Sequence, residues 1–266
     1  MKILTTGKYY GQKKSEVELE DVLLSEYDYL TPRTDWHYHE NPYLMYVLQG
    51  NLYDINKREQ THCTAGSLIF HNWQEAHYNT KETRHARGFH IEFPRKWFNE
   101  QKLDLQLWEG SRLLKHPELH ALFGQLFFEF KCQDAYSQVS IEMLLLHLCE
   151  SIERIEFSTK DEPSWVDTLR ELLQDEPEDL NLKNLAQQLG IHPVHLSRAV
   201  PRYLGSSLGA YIRQQKIKQS LSYIQDERYS LTDIANLCGF ADQSHFTRTF
   251  KRYLNRTPSS FRRQML

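Results

Sequence analysis

The stretch Ser230–Arg263 reads SLTDIANLCGFADQSHFTRTFKRYLNRTPSSFRR and holds the pattern of three short helices. Ser230 is a good N-cap, and Asp233 has the position and the charge that a first turn favours. Ile234, Ala235 and Leu237 recur at helical spacing before Gly239 ends the helix. Phe240 is expected to plug a core, and Asp242 to cap a second helix. Phe246 and Phe250 share one face of that helix, while Gln243, Ser244, His245, Thr247 and Arg248 spread over the rest. A helix, a tight Gly-containing turn and a polar-faced helix make the helix-turn-helix pattern, whose second helix lies in the major groove of DNA. Thr257-Pro258 opens a third helix with an N-cap and Pro at N1, and Phe261 points back to the core.

A second copy lies upstream. Leu185-Ala186 matches Ile234-Ala235, and Gly190 matches Gly239, at an offset of 49. The offset then becomes 50 and aligns Leu196 with Phe246, Ser197 with Thr247, Arg198 with Arg248, Val200 with Phe250, Tyr203 with Tyr253 and Tyr211 with Phe261. Unrelated helical hairpins would not keep one spacing through so many positions, so the chain carries an internal repeat of two helix-turn-helix units, about 181–202 and 230–252.

The block IAxxCGFxDQSHFTRTFKRxxxxTPSSFRR resembles the second helix-turn-helix of the AraC/XylS family of bacterial transcription regulators. The region from about Trp165 to the C-terminus resembles that family's whole DNA-binding domain. Asn255 stands where the family usually has Gly, and Asn tolerates left-handed geometry. In the first unit Val200 replaces the usual large aromatic, and Pro201 falls late in the reading helix, where it forfeits a hydrogen bond.

Length and charge agree with a two-part chain. At 266 residues two domains are expected. The net charge is only −3, but Arg198–Leu266 has 12 basic against 4 acidic residues, +8, leaving −11 on the first 197. Such asymmetry is the electrostatic footprint of a DNA-binding end attached to an acidic partner domain. The N-terminus lacks the apolar core of a signal peptide, and no stretch approaches a membrane span. Cys63, Cys132, Cys149 and Cys238 are scattered and read as reduced thiols of a cytoplasmic protein, Cys149 and Cys238 as core.

From Thr34 to about Phe93 the texture changes to short strands, Tyr43–Gln49, Leu52–Asn56, Ser67–Phe70 and Gly88–Phe93, which argue for a β-sandwich or barrel. Gly50-Asn51 suits a hairpin turn, and Ala65-Gly66 a turn before the next strand. Residues 1–30 are undiagnostic, with Lys8–Lys14 as a loop or edge. Trp36-His37-Tyr38-His39, Gly50, Gly66 and His77 together are similar to the cupin double-stranded β-helix, the usual sensor domain of the AraC family. In metal-binding cupins an HxH pair, a Glu and a later His hold the ion; here Tyr43 stands in place of that Glu. His37, His39 and His77 could form a three-imidazole site suited to Zn or Fe. Loss of the carboxylate favours the alternative, histidines hydrogen-bonding around a ligand pocket, so neither metal nor cofactor is assigned.

Past Phe93 the pattern turns helical. Pro117–Lys131 has a broad apolar face, with Pro117 at N1. Ser137–Phe157 has two apolar lines, one of Val139, Met143, Leu146 and Glu150, the other of Ile141, Leu144, Leu145, Leu148 and Ile152. One serves a helix inside the domain; the resemblance adds a helix pair joining two subunits. A polar linker, about 158–164, precedes Trp165–Gln174, which turns Trp165, Val166, Leu169, Leu172 and Leu173 inward. Asn181 caps the next helix, and His192-Pro193 opens the first reading helix. Leu208–Gln225 bridges the two units.

The expected fold is α+β: a cupin-like β-barrel (about 15–93) with flanking helices (94–157), then an all-α DNA-binding domain over 165–266. No phosphate loop, GxSxG or paired Cys and His is present, so enzyme activity is not indicated. The resemblance implies a transcription regulator whose N-terminal domain binds a small effector, sugars being common in the family, and joins two subunits in a homodimer. Promoter DNA, and RNA polymerase if it activates, are the other expected partners. The alternative is a metal-dependent cupin enzyme, a dioxygenase or isomerase, fused to a DNA-binding end. The residues placed to meet DNA are Val194, His195, Ser197 and Arg198 in the first unit. In the second they are Gln243, Ser244, His245, Thr247, Arg248, Lys251 and Arg252. Alternation along strands puts His37 and His39 on one face, so the effector pocket is expected around Arg33, Trp36, His37, His39, Tyr43 and His77.

Overall fold

The computed structural model describes residues 1–19, 21–158, 162–173 and 181–265. Strands come first: β1 (Lys2–Leu4), β2 (Gln12–Leu19), β3 (Val22–Tyr29), β4 (His37–His39), β5 (Tyr43–Gln49), β6 (Leu52–Asn56), β7 (Gln60–Cys63), β8 (Leu68–His71), β9 (His77–Lys81), β10 (Ala86–Glu92) and β11 (Arg112–Leu113). They form a five-stranded sheet, β1-β4-β9-β6-β7, and a six-stranded one, β11-β8-β5-β10-β3-β2. The α+β class holds, but the strands make two separate sheets rather than one closed barrel.

Strand β5 shows how the sheets are layered. Tyr43, Met45 and Val47 pack with Leu52, Cys63 and Ile69 between the sheets. Leu44, Tyr46 and Leu48 point the other way, into a core shared with helices. A strand buried on both faces reads as a continuous apolar run rather than an alternation. Gly50-Asn51 does not close a hairpin, because β5 and β6 belong to different sheets. Gly50 (φ 81°) instead carries the chain between sheets, so close to the His85 carbonyl that a Cβ would stand 2.4 Å from its oxygen. The N-terminal residues, unreadable in the sequence, supply β1, parallel to β4, and the charged edge strand β2.

Helix α1 (Arg95–Glu100) and a 3-10 turn (Leu105–Trp108) lead to α2 (Pro117–Cys132) and α3 (Ser137–Ser158). Helix α2 lies on the six-stranded sheet, Phe123 against Tyr46 (5.4 Å) and Phe127 and Phe130 against Phe89 (4.9 Å each). The two apolar lines of α3 separate cleanly. Ile141, Leu145, Leu148 and Ile152 are buried, whereas Val139, Met143 (68% exposed) and Leu146 face solvent beside Tyr136. Ser158 closes α3 and Ser164 opens α4 (Ser164–Leu172); residues 159–161 of the expected linker lie outside the described residues.

The remaining helices are α5 (Leu182–Gln188), α6 (Pro193–Leu204), α7 (Leu208–Ile224), α8 (Leu231–Leu237), α9 (Gln243–Leu254) and α10 (Pro258–Met265). The first unit has its own core of Leu169, Leu173, Leu185, Leu196, Val200, Leu204 and Tyr211. The second unit shares one core with the double-sheet domain: Ile234, Phe246, Phe250 and Phe261 join Phe123, Leu126 and Phe127 of α2. Helix α7 belongs to both, giving Tyr211 to the first core and Ile217, Leu221 and Ile224 to the other. Helix α6 runs through Pro201 to Leu204, although the proline has no N–H to give the Ser197 carbonyl.

Candidate DNA interface and effector pocket

Each reading helix begins at a cap. His192 Nδ1 accepts from the Val194 amide (3.3 Å), and Asp242 Oδ1 from the His245 amide (2.6 Å). Ser230 and Asp233 form a reciprocal capping box on α8. Leu196 and Val200 of α6, and Phe246 and Phe250 of α9, point into the cores. Val194, His195, Ser197 and Arg198 are therefore left exposed on α6, and Gln243, Ser244, Arg248, Lys251 and Arg252 on α9. His245 and Thr247 are half-buried, the His245 ring edge-on to Phe240 at 5.4 Å. Gln243 Oε1 accepts from the Thr232 hydroxyl (2.7 Å), which braces α9 against α8.

The sequence pattern passes over Arg213. From α7 it joins His245, Arg248, Thr249 and Arg252 around a groove of about 360 Å³. Among the described residues its Nε is buried without a hydrogen-bond partner, and the groove wall holds no carboxylate. A cationic groove of this kind suits a phosphate of the DNA backbone. The Arg262 guanidinium donates to the carbonyls of Ile224 (2.8 Å) and Tyr229 (2.9 Å) and locks the α7–α8 turn.

In the double-sheet domain the structure gathers His37, His39, Tyr43 and His77 between the sheets, all buried. His37 and His77 are paired across β4 and β9, their rings 4.4 Å apart. His37 Nδ1 donates to the Asp35 carbonyl (2.8 Å) and His77 Nδ1 to the Glu75 carbonyl (3.1 Å), so each Nε2 presents its lone pair inward. The Tyr43 hydroxyl donates to His77 Nε2 at 3.3 Å. Arg33 and Trp36 stand apart from this cluster. Trp36 precedes His37 and so takes the opposite face, where it meets Tyr78 at 4.9 Å with the Arg33 guanidinium 4.6 Å over the same ring.

Five further residues complete the cluster, and none stands out in the sequence. His90 stacks on Tyr9 at 4.0 Å and accepts from the Tyr29 hydroxyl at 2.5 Å. Asp54 of β6 and His71 of β8 approach His77. Burial, reinforced by His77, holds the His37 imidazole down at about 4, and burial alone holds His90 at about 3. His39 and His71 are likewise pushed well below the ordinary range, mainly by burial. The space enclosed beside Tyr9, Tyr29, His37, His39, Tyr43 and His90 measures about 30 Å³.

A double-sheet domain carrying a ringed pocket, followed by paired helix-turn-helix units, defines a ligand-responsive DNA-binding regulator. The AraC-like ligand binding domain family matches residues 21–149, and the Helix-turn-helix domain family residues 185–264. The probable transcription factor PqrA of Proteus vulgaris is 34% identical over 85 residues, 32% of this chain and 70% of its own length. The arabinose operon regulatory protein of Escherichia coli is 25% identical over 224 residues, 78% of this chain and 75% of its own. A crystal structure of apo ToxT from Vibrio cholerae is 15% identical, covering 92% of this chain and 98% of its own, with a TM-score of 0.41. The chain belongs to the AraC/XylS family of transcription regulators. No helix among the described residues is long and apolar enough to cross a membrane.

Proposed function

We propose that this protein binds promoter DNA as a homodimer through α6 and α9 and changes that binding when a small ligand enters the space between its two sheets. The observation that carries the reading is the shared core: α2 lies on the sensor sheet with one face and on the second DNA-binding unit with another. A change in sheet packing is then felt at α9 without crossing a flexible joint. Base choice is assigned to Arg198, Ser197, His195 and Val194 on α6, and to Arg248, Gln243, Ser244, His245 and Thr247 on α9. Lys251, Arg252 and Arg213 would grip phosphates.

The exposed line Val139, Met143 and Leu146 on α3, with Tyr136 in the turn before it, is the surface for subunit pairing. The inner cluster His37, His39, Tyr43 and His77 is the ligand-sensing site; Arg33 and Trp36 lie at the outer surface and are given no part in it. The transcription regulators this chain resembles favour sensing over catalysis, and a cytoplasmic regulator over a cupin enzyme. The test is a gel-shift selection of bound sequences from random DNA, repeated with ligands found by thermal-shift screening. Enrichment of two half-sites about one helical turn apart is expected. Equal binding to all sequences would defeat the reading.

A further inference from the structure

The carboxylate that the sequence lacks at Tyr43 is supplied from elsewhere in the fold. Asp54 sits on β6 opposite Asn79 of β9, and His77 lies two residues before Asn79 on the same face. His71 reaches in from the other sheet, paired with Tyr43 on β5 and with its ring stacked 4.7 Å from His77. One ligand atom from each of Asp54, His71 and His77 lies within 4.8 Å of the others, and all three residues are buried. With ligand bonds of about 2.0–2.2 Å, donors opposite one another across an ion stand at most about 4.4 Å apart. Small side-chain shifts would therefore close the set on one ion.

Three details point to an ion rather than to ordinary core packing. Both ring nitrogens of His71 are buried with no hydrogen-bond partner among the described residues, and an ion on the Nδ1 that faces Asp54 would satisfy one of them. Asp54 is oriented for the role: Asn79 Nδ2 donates to its Oδ1 (2.9 Å), while Oδ2 stands 4.0 Å from His71 Nδ1, too far for a hydrogen bond. The His77 ring is fixed through its Nδ1 bond to the Glu75 carbonyl. Backbone or side-chain anchoring of the outer atom is how protein ligands to a metal are held. The neighbouring space of about 30 Å³, bordered by His37, His39 and Asn79, is the size of a water or two.

We propose that Asp54, His71 and His77 bind a divalent first-row transition ion, Zn²⁺ before others, inside the effector domain. Two imidazoles and one carboxylate with an open position form a donor set suited to Zn²⁺ or Fe²⁺. The inference rests on reading the inner cluster as the sensing site, and it names an ion as the class of ligand that fits there. His37 and His39 stand next to the ion and shape its surroundings.

The test uses the full-length, tag-free protein, stripped with chelator and titrated with cobalt(II) chloride, then with zinc chloride in competition. One equivalent of cobalt with visible absorption bands is expected, displaced by zinc. X-ray absorption of the cobalt form should show two imidazoles with oxygen donors. Asp54→Asn and His71→Gln should each weaken binding at least as much as the about 10–100-fold loss expected for Asn79→Ala. His62→Gln, on the surface, should change nothing. Absence of stoichiometric cobalt in the wild-type protein overturns the proposal, and so does a shell of three imidazoles without a carboxylate. Because no DNA or effector enters this assay, its failure leaves the regulator reading standing, and failed DNA selection leaves the metal result standing.

Discussion

The Gln125 side-chain amide donates to the backbone carbonyl of Tyr253 across 2.7 Å, which ties α2 of the sensor to the second reading helix α9. Phe128 stacks on Phe261 beside this bond, and Arg256 pairs with Glu129 at 3.8 Å. The second helix-turn-helix unit is thus seated directly on the helix that covers the sensor sheet.

Gly124 tests this seat. A Cβ there would stand 3.1 Å from Leu254 Cδ2 and 3.5 Å from a Leu221 methyl. Gly124→Ala is expected to be near neutral, because a methyl can turn aside and Ala gains about 1 kcal/mol of helix propensity. Gly124→Leu overpacks the contact, costs about 1–3 kcal/mol, and uncouples ligand from DNA binding. Melting curves and operator affinity with and without ligand measure both effects; an unchanged Gly124→Leu protein would show that the seat carries nothing.

Glu26 is fully buried on β3, between Arg87 of β10 and Lys131 of α2, whose ammonium is 3.0 Å away. Arg87 also reaches Gln225 after α7 (3.4 Å), so the network runs from sheet to DNA-binding half. Glu26→Ala leaves two cations facing one another with little water. A loss of about 3–5 kcal/mol is expected by denaturant titration, as when one partner of a buried pair is removed. A loss below about 1 kcal/mol would mean that the cations find other acceptors.

Acid should weaken the fold through histidines withdrawn from water, His90 fully and His116 in large part. Burial holds His116 at about 4 and His90 at about 3 in the folded chain, against about 6.5 when unfolded. Between those values the unfolded chain binds more protons, so stability is complete above about pH 6.5 and declines as pH falls toward 4. Calorimetry should find Tm lower by roughly 5 °C at pH 5 than at pH 7. A flat profile would contradict neutral buried imidazoles.

Two arginines should separate base reading from phosphate grip. Arg198→Ala is expected to relax preference at one or two base pairs, at about 1–3 kcal/mol of discrimination. Arg213→Ala should weaken all sequences alike and reduce the salt slope by about 1. Quantitative binding to a panel of single-base variants at several salt concentrations distinguishes them. The reverse pattern would exchange the two roles.

The helical half was legible because its signals are local: caps at Asn181, Ser230 and Asp242, and apolar residues at helical spacing. The sequence sets Arg213 off the buried stripe of α7 but does not join it to the reading helices, because α7 buries different sides at its two ends and shows no single polar face. The sensor was less readable. His37 and His39 stand two apart on one strand, so their shared face follows from the sequence alone. Asp54, His71 and His90 come from three other strands, and only the packing of two sheets brings them together. The same packing divides β5 between two cores, which a single apolar run cannot announce.

Helix α7 gives its first turns to one helix-turn-helix unit and its last turns to the other. Its 17 residues span about 25 Å, a stiff ruler set between the two reading helices. A turn of DNA advances about 34 Å, so the ruler and the tilt of the units together dictate which bases lie under both helices at once. Each inserted base pair would both lengthen and rotate that interval. On the proposed reading the protein would measure the spacing within its site as well as the letters, and one added base pair would put a promoter out of its reach with every contacted base intact.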